Sequence, residues 1–104
     1  MAVDIGRTGC RAALWNGDAL EPEAIAKGDG SLGLGAVDGP VVAEAAILAV
    51  AKPLLAEHDV GCIDAVGVGA PGAMEAPALA HRLAERLARS LPARRVAVMS
   101  DAIT

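Results

Sequence analysis

The sequence predicts a mixed α/β domain with the element order β-β-β-α-β-α-β. Two patterns indicate this class. The beginning of the chain is a series of short apolar runs separated by turn residues, which is typical of antiparallel strands in a meander. The remainder alternates helical patterns with short apolar strands, which is typical of parallel strands joined by helices. We therefore expect three antiparallel strands followed by parallel strands in one sheet, within a single domain that spans residues 1–104.

The composition predicts a folded core and excludes several classes of partner. Hydrophobic residues make up 54% of the chain and charged residues 21%. Trp15 is the only aromatic residue, so small aliphatic side chains must fill the core. The net charge of −4 and the lack of a basic tract argue against nucleic acid as a partner. No apolar run has the length of a bilayer span, no targeting segment is recognised, and Cys10 and Cys62 lack disulfide or metal spacing. We expect a cytoplasmic protein with reduced thiols and no membrane contact.

The first three strands are marked by the turns between them. Their expected bounds are residues 1–5, 10–15 and about 20–27. Gly6 and Gly9 interrupt the first apolar run, which predicts a hairpin, and Asn16-Gly17 predicts a second one. Pro22 weakens the start of the third strand. The glycine-rich residues 28–40 predict a long loop with a function.

Two helices and two further strands are expected after this loop. Their expected bounds are residues 41–57 and 75–91 for the helices and residues 63–68 and 95–99 for the strands. The first helix follows Pro40 and is apolar nearly all round, so we expect it to be well buried, with a kink or break before Pro53. The fourth strand is continuously apolar, which predicts that both of its faces are covered. In the second helix, leucines recur every fourth residue, and most charged residues lie elsewhere on its surface.

The opening hairpin is the first candidate site. Its turn reads Gly6-Arg7-Thr8-Gly9, and the glycines leave backbone N–H groups free to turn toward an anion. Asp4 stands directly before the turn and is a candidate cation ligand. These residue types predict a corner that binds phosphate and magnesium. They fit a plain hairpin, in which Asp4 caps a loop, equally well.

The second candidate site is the sequence Gly67-Val-Gly69-Ala-Pro-Gly72, which has the spacing of a dinucleotide-binding turn. Three features disfavour a dinucleotide. Asp101, the next acid at a strand end, lies far beyond the usual spacing, several elements precede the motif, and Pro71 has no N–H to donate. A tight turn that contacts some ligand is the favoured interpretation.

Asp101 is the third candidate because it follows the last apolar strand. Ligands of open α/β sheets bind beyond the carboxyl ends of the strands, so Asp101 is a candidate catalytic residue. The alternative is that it caps a helix that starts at Ala102. If the strands before Asp4, Gly69 and Asp101 lie side by side, the three candidate sites meet in one cleft.

Together these motifs resemble a known superfamily. The stretch AVDIGRTGCRAALW, followed by Asn-Gly, resembles the first phosphate-binding hairpin of the sugar kinase, Hsp70 and actin superfamily. The spacing to VGVGAPGA and then VAVMSDA resembles the BadF/BadG/BcrA/BcrD ATPase and N-acetylglucosamine kinase family. The resemblance runs along the whole chain. It implies a ribonuclease-H-like fold, the N-terminal half of an actin-like ATPase, which closes with a C-terminal half on ATP, Mg²⁺ and a sugar.

The resemblance assigns the opening hairpin to the phosphates of ATP. Asp4 would hold the magnesium ion through water. Gly6, Thr8 and Gly9 would contact the β- and γ-phosphates through backbone and hydroxyl groups. Arg7 departs from the family pattern, and it would either reach a phosphate itself or obstruct the loop.

The other motifs would serve the acceptor. Asp101 would be the general base toward a sugar hydroxyl, and Gly69 and Gly72 would line the sugar site. The implied activity is an ATP-dependent carbohydrate kinase for N-acetylglucosamine or a related amino sugar or hexose. Because the second phosphate loop and the adenosine pocket belong to the other half, we expect residues 1–104 alone to be inactive. We also expect them to self-associate, as a homodimer for example, through the face that the other half covers.

The departures from the family pattern keep other functions open. Ile5 and Arg7 stand where the family commonly has glycine, and Gly9 and Cys10 replace its basic and hydroxyl residues. The glycine loop also lacks the asparagine that contacts the sugar. The alternatives are a non-catalytic actin-like binding module, a pantothenate kinase and a dehydratase-activator ATPase. The last is disfavoured because Cys10 and Cys62 do not form a cluster-binding pattern.

Overall fold

The computed structural model describes residues 1–15, 24–30, 38–58, 60–70 and 76–99, which form a mixed α/β domain in the predicted element order. The strands are β1 (Ala2–Ile5), β2 (Cys10–Leu14), β3 (Ala24–Gly28), β4 (Ile63–Gly69) and β5 (Ala93–Met99), and the helices are α1 (Gly39–Glu57) and α2 (Pro77–Ser90). The α/β class and the predicted order are confirmed. The predicted Asn16-Gly17 turn, the start of the third strand and most of the glycine-rich loop lie outside the described residues.

The five strands form one mixed sheet in the order β3-β2-β1-β4-β5. β2 runs antiparallel to both β1 and β3, whereas β4 is parallel to β1 and β5 is parallel to β4. The prediction of three antiparallel strands followed by parallel strands is therefore confirmed. Since β1, β4 and β5 are neighbours and point the same way, their carboxyl ends meet at one edge of the sheet.

Both helices pack on the same face of the sheet. The connection from β3 through α1 to β4 and the connection from β4 through α2 to β5 cross the sheet in the same direction, and right-handed crossovers then place both helices on one side. The largest fully buried side chains join these layers; they are Val3, Ile5, Ile47, Val66, Val68, Leu83 and Leu87. Aliphatic side chains thus fill the core, as the composition predicts.

The prediction that both faces of the fourth strand are covered is wrong for the described residues. Ala65 in β4 and Ala97 in β5 lie on the face opposite the helices, and both are exposed. The run looks continuously apolar because Ala65 and Gly67 separate the larger side chains. Ala65 carries only a methyl group and Gly67 has no side chain, so leaving this face uncovered costs little free energy.

Helix α1 differs from its prediction in two ways. It continues without a break through Pro53, because Leu54 and Leu55 beyond the proline are buried in the core and their packing offsets one lost backbone hydrogen bond. The predicted break is therefore wrong, and the alternative of a kink stays a prediction. It is also not buried all round, since Val41 and Val42 are 44% and 46% exposed.

Length and composition alone would allow α1 to cross a bilayer. The mean hydropathy of its most apolar window is 1.6, and 44% of that window is buried inside the domain. The core helix of a soluble domain meets the same criterion, and Ile47 and Ala51 of α1 are fully buried against the rest of the fold. The helix is therefore weak evidence for a membrane span.

Polar side chains also join the two helices. Arg86 of α2 donates from Nε and Nη2 to Oε1 of Glu44 in α1, with both N–O distances 2.9 Å. The hydroxyl of Ser90 donates to Oε2 of the same carboxylate at 2.8 Å. The leucine face of α2 is confirmed by the burial of Leu83 and Leu87. Arg86, in contrast, is half-buried and bonded rather than simply solvated.

Candidate functional site

The turn between β1 and β2 is short and closed by its own backbone. Ile5 pairs with Cys10 at the end of the ladder, and the Gly6 N–H donates to the Gly9 carbonyl oxygen at 2.8 Å. Arg7 and Thr8 lie at the tip of the turn and are exposed. The predicted hairpin is therefore confirmed, and it presents one guanidinium and one hydroxyl to solvent at the edge where β1 ends.

A row of five residues crosses the sheet next to this turn. Register pairs link Lys27 to Arg11, Arg11 to Asp4, Asp4 to Gly69, and Gly69 to Met99. Residues paired in register share one face of a sheet, and here it is the face opposite the helices. The sequence positions 4, 11, 27, 69 and 99 are thus brought into one line across all five strands.

The row places two of the three candidate motifs side by side. Asp4 is exposed near the end of β1, and Gly69 at the end of β4 is its direct neighbour. β5 ends at Met99, next to Gly69. The three strands therefore share one edge as expected. Gly72 and Asp101 lie outside the described residues, so their positions stay predictions.

A groove of about 470 Å³ opens beside the turn. Its lining residues are Asp4, Gly6, Thr8, Gly9, Cys10, Arg11, Lys27 and Gly28. Asp4 carries the only negative charge among these lining residues, and Arg11 and Lys27 carry two positive charges. In the part of the chain that the structure describes, Asp4 forms no salt bridge with either cation. The groove is positively charged overall, which suits an anion.

Gly30 packs against the backbone of the β1–β2 turn, and no sequence pattern predicts this contact. A Cβ atom at Gly30 would overlap the Gly6 carbonyl oxygen and stand 2.6 Å from the Gly9 nitrogen and 2.8 Å from the Arg7 carbonyl carbon. All three atoms belong to the backbone of the turn. The segment after β3 therefore lies directly against the β1–β2 turn, and only glycine fits there.

The two cysteines have different environments and lie apart. Cys10 is buried at the start of β2, and burial, followed by the negative charge of Asp4, raises the pKa of its thiol to about 11. Cys62 is exposed and precedes β4, at the opposite edge of the sheet. Cys10 is therefore a packed thiol. Cys10 and Cys62 of one chain lie too far apart to bind the same metal ion or cluster.

Asp4 fits a magnesium ion only in combination with phosphate. Among the described residues, no three His, Cys, Asp or Glu side chains cluster as metal ligands. Mg²⁺ often uses one or two carboxylates and takes its other ligands from water and substrate phosphates. A single exposed carboxylate beside a positively charged groove fits this second arrangement, in which the phosphates supply most of the negative charge.

The dinucleotide alternative finds little support in the described residues. A dinucleotide turn leads directly into a helix whose N–H groups face the pyrophosphate. Here β4 ends at Gly69, and α2 begins only at Pro77, whose nitrogen carries no hydrogen. The first turn of α2 is therefore separated from the glycine motif.

Comparisons of the chain with protein-family models, with curated proteins and with solved structures find no match.

Proposed function

We propose that this chain is the N-terminal half of an ATP-dependent kinase that phosphorylates N-acetylglucosamine or a related amino sugar or hexose. The observation that carries the proposal is the shared edge of β1, β4 and β5. Asp4 lies at the end of β1, and Asp101 follows the end of β5 by two positions. Parallel strands that end at one edge allow a metal-binding acid and a base to act on the two sides of one phosphoryl group.

The proposed division of labour follows from the chemistry of phosphoryl transfer. Positioning and charge stabilisation dominate this reaction. The amide of Gly9, the hydroxyl of Thr8 and the guanidinium of Arg7 would hold the β- and γ-phosphates, and Asp4 would orient Mg²⁺ through water. The expected contact from the Gly6 amide is not available in this turn, because its N–H already donates to the Gly9 carbonyl oxygen. When bound, the ion would offset the charge of the phosphate oxygens.

The acceptor would be activated at the other end of the row. Asp101 would take the proton of a sugar hydroxyl as the hydroxyl oxygen attacks the γ-phosphorus. The bond between that phosphorus and the β-phosphate oxygen breaks, and ADP leaves. Gly72 would line the sugar site, because glycine lets a ligand approach the backbone closely. Gly69 is buried at the end of β4, so it would shape the floor of that site from beneath.

The topology supports the finer assignment to a ribonuclease-H-like fold. That assignment requires three antiparallel strands followed by parallel strands that are joined by helices, and the described residues form this arrangement. In this proposal the face of the sheet opposite the helices turns toward the nucleotide and the C-terminal half. The position of the charged row on this face supports that orientation.

A second function, a module that binds an anion without catalysis, is favoured by one observation. Arg7, Arg11 and Lys27 concentrate positive charge beside a single acid, which is sufficient for binding phosphate but does not by itself provide a base. The experiment below separates the two functions.

The test measures phosphate transfer from ATP by the protein made from the complete reading frame that contains residues 1–104. N-Acetylglucosamine, glucosamine and glucose are the acceptors. Asp101→Asn is expected to lower kcat by about 10²–10⁴-fold, the usual contribution of a general base. The KM for ATP should change little, because Asp101 is assigned to the acceptor.

Asp64→Asn is the matched control. Asp64 is an exposed acid at the start of β4, at the opposite edge of the sheet, and its carboxylate lies 3.9 Å from the Arg94 guanidinium. This variant should retain full activity. Binding of ATP with no phosphorylated sugar, and with no effect of Asp101→Asn, would establish the binding module and overturn the kinase proposal.

A further inference from the structure

Two exposed cations stand beside Asp4 without a partner in the described part of the chain. Arg11 is in direct register with Asp4, and Lys27 is in direct register with Arg11. Both side chains are exposed and both line the groove at the β1–β2 turn. The salt bridges of the described residues involve neither of them. Among the residues that line the groove, two cations outnumber the single acid, Asp4, so the described groove has charge to spare for an anion from outside the chain.

We propose that Arg11 and Lys27 bind the terminal phosphates of a linear oligophosphate chelated to a divalent cation. The inference deepens the proposed function, on which it rests for the identity of the nucleotide. Register partners on neighbouring strands have Cβ atoms about 5 Å apart, so Arg11 and Lys27 can contact adjacent phosphate groups of the same oligophosphate. The Arg11 guanidinium is suited to two phosphate oxygens at once, whereas the Lys27 ammonium acts as a point charge.

Asp4 selects the chelated form of that anion. A bare phosphate chain in the groove would meet the Asp4 carboxylate, and the like charges would repel. A divalent cation between them turns this repulsion into attraction. The row Lys27–Arg11–Asp4 thus arranges two positive charges and one negative charge to match an anion with a metal ion at one end.

Non-specific electrostatic attraction of polyanions to the protein surface does not explain binding at this groove. The chain as a whole is acidic, with a net charge of −4, so long-range attraction does not favour nucleic acid. The Gly6 N–H is used inside the turn, but the exposed Thr8 hydroxyl adds a neutral donor next to the cations. Short-range contacts to phosphate groups must therefore supply the affinity.

The experiment titrates the 104-residue chain with inorganic tripolyphosphate, with and without MgCl₂, by calorimetry and by amide NMR. Tripolyphosphate should bind more tightly than orthophosphate, and Mg²⁺ should strengthen binding to the unchanged chain but not to Asp4→Asn. Arg11→Ala should weaken binding about tenfold, which corresponds to about 1.4 kcal/mol, and Lys27→Ala should weaken it severalfold. Mg-ATP in place of tripolyphosphate tests the nucleotide as the source of the phosphates.

Arg95→Ala is the matched control. Arg95 is an exposed cation in register with Ala65 on the same face, four residues from the charged row along β4. Its removal lowers the net charge equally and should leave binding unchanged. Thermal unfolding checks that each variant folds, as substitutions of exposed side chains usually allow.

The outcomes separate this inference from the proposed function. If no variant of Arg11 or Lys27 changes the affinity, or if tripolyphosphate shifts none of the turn amides at millimolar concentration, the inference is wrong whatever the full-length protein catalyses. If the cation variants weaken binding while the full-length protein transfers no phosphate, the oligophosphate site stands and the kinase proposal fails.

Discussion

The substitution Gly30→Ala tests whether the segment after β3 holds the β1–β2 turn in place. The new Cβ would overlap the Gly6 carbonyl oxygen and approach the Gly9 nitrogen to 2.6 Å. Because these atoms belong to the backbone, no side-chain rotation can relieve the clash, and the two segments must move apart. Overpacking of this kind costs about 1–3 kcal/mol, whereas the reduced entropy of the unfolded chain returns only about 0.4–1 kcal/mol. We expect a net loss of about 1.3 kcal/mol, or a Tm lowered by roughly 5–10 °C.

Urea and thermal unfolding measure the loss, and two other glycines calibrate it. A Cβ at Gly61 meets nothing within 4 Å, so Gly61→Ala should be neutral or slightly stabilising. A Cβ at Gly28 would stand 2.6 Å from Val50 Cγ2, a side-chain atom, so Gly28→Ala should cost less than Gly30→Ala. Because the clash displaces the turn, the Gly30→Ala protein should also bind tripolyphosphate more weakly than the unchanged chain. A Gly30→Ala protein as stable as Gly61→Ala, with unchanged binding, would refute the reasoning.

Two further predictions concern the helix interface and the thiols. Glu44→Ala should destabilise the domain by about 1–2 kcal/mol in urea unfolding, less than a fully buried pair would lose, because Arg86 is 39% exposed and water can solvate it. Glu85→Ala, which removes an exposed acid of α2, should cost under about 0.5 kcal/mol. A maleimide at pH 8 should label Cys62 rapidly and Cys10 only after unfolding, since a pKa of about 11 leaves about 10⁻³ of that thiol ionised. The pKa of Cys10 is higher in the folded than in the unfolded state, so protonation of this thiol favours the folded state. Its contribution to the free energy of unfolding is complete below pH 9 and is lost as the pH rises toward 11. Cys10→Ala should remove this pH dependence of the free energy of unfolding.

The sequence predicts the elements well because each has a local signal. Glycine spacing marks the β1–β2 turn, and Pro40 marks the start of α1. The local signal misleads where packing decides the outcome. Pro53 predicts a kink or a break, and the buried leucines that follow it keep α1 continuous, which excludes the break. The burial of β4 is overestimated for a similar reason, since Ala65 counts as apolar in a sequence pattern although its small side chain is exposed.

The candidate site is predictable only in part, because its parts meet through strand register. The position of Asp4 beside the glycine turn follows from the first ten residues. The alignment of Arg11 with Asp4 requires the register of the hairpin, and that of Lys27 requires the register of a second strand pair. No spacing rule connects positions 4, 11 and 27. The contact of Gly30 with the turn is likewise a tertiary contact that a glycine-rich sequence permits but does not specify.

The alternation of buried and exposed residues along β2 forms the core and also places Arg11 in the row with Asp4 and Lys27. In β2, Cys10, Ala12 and Leu14 face the helices and are buried, so Arg11 must face the opposite side. Because the side-chain period of a strand is two, a register slip by one residue would move Arg11 into the core and expose its apolar neighbours. The cost of burying that guanidinium without a partner fixes the register. The hydrophobic core therefore holds Arg11 next to Asp4, and replacing Arg11 by another exposed side chain changes the charge of the groove without changing the fold.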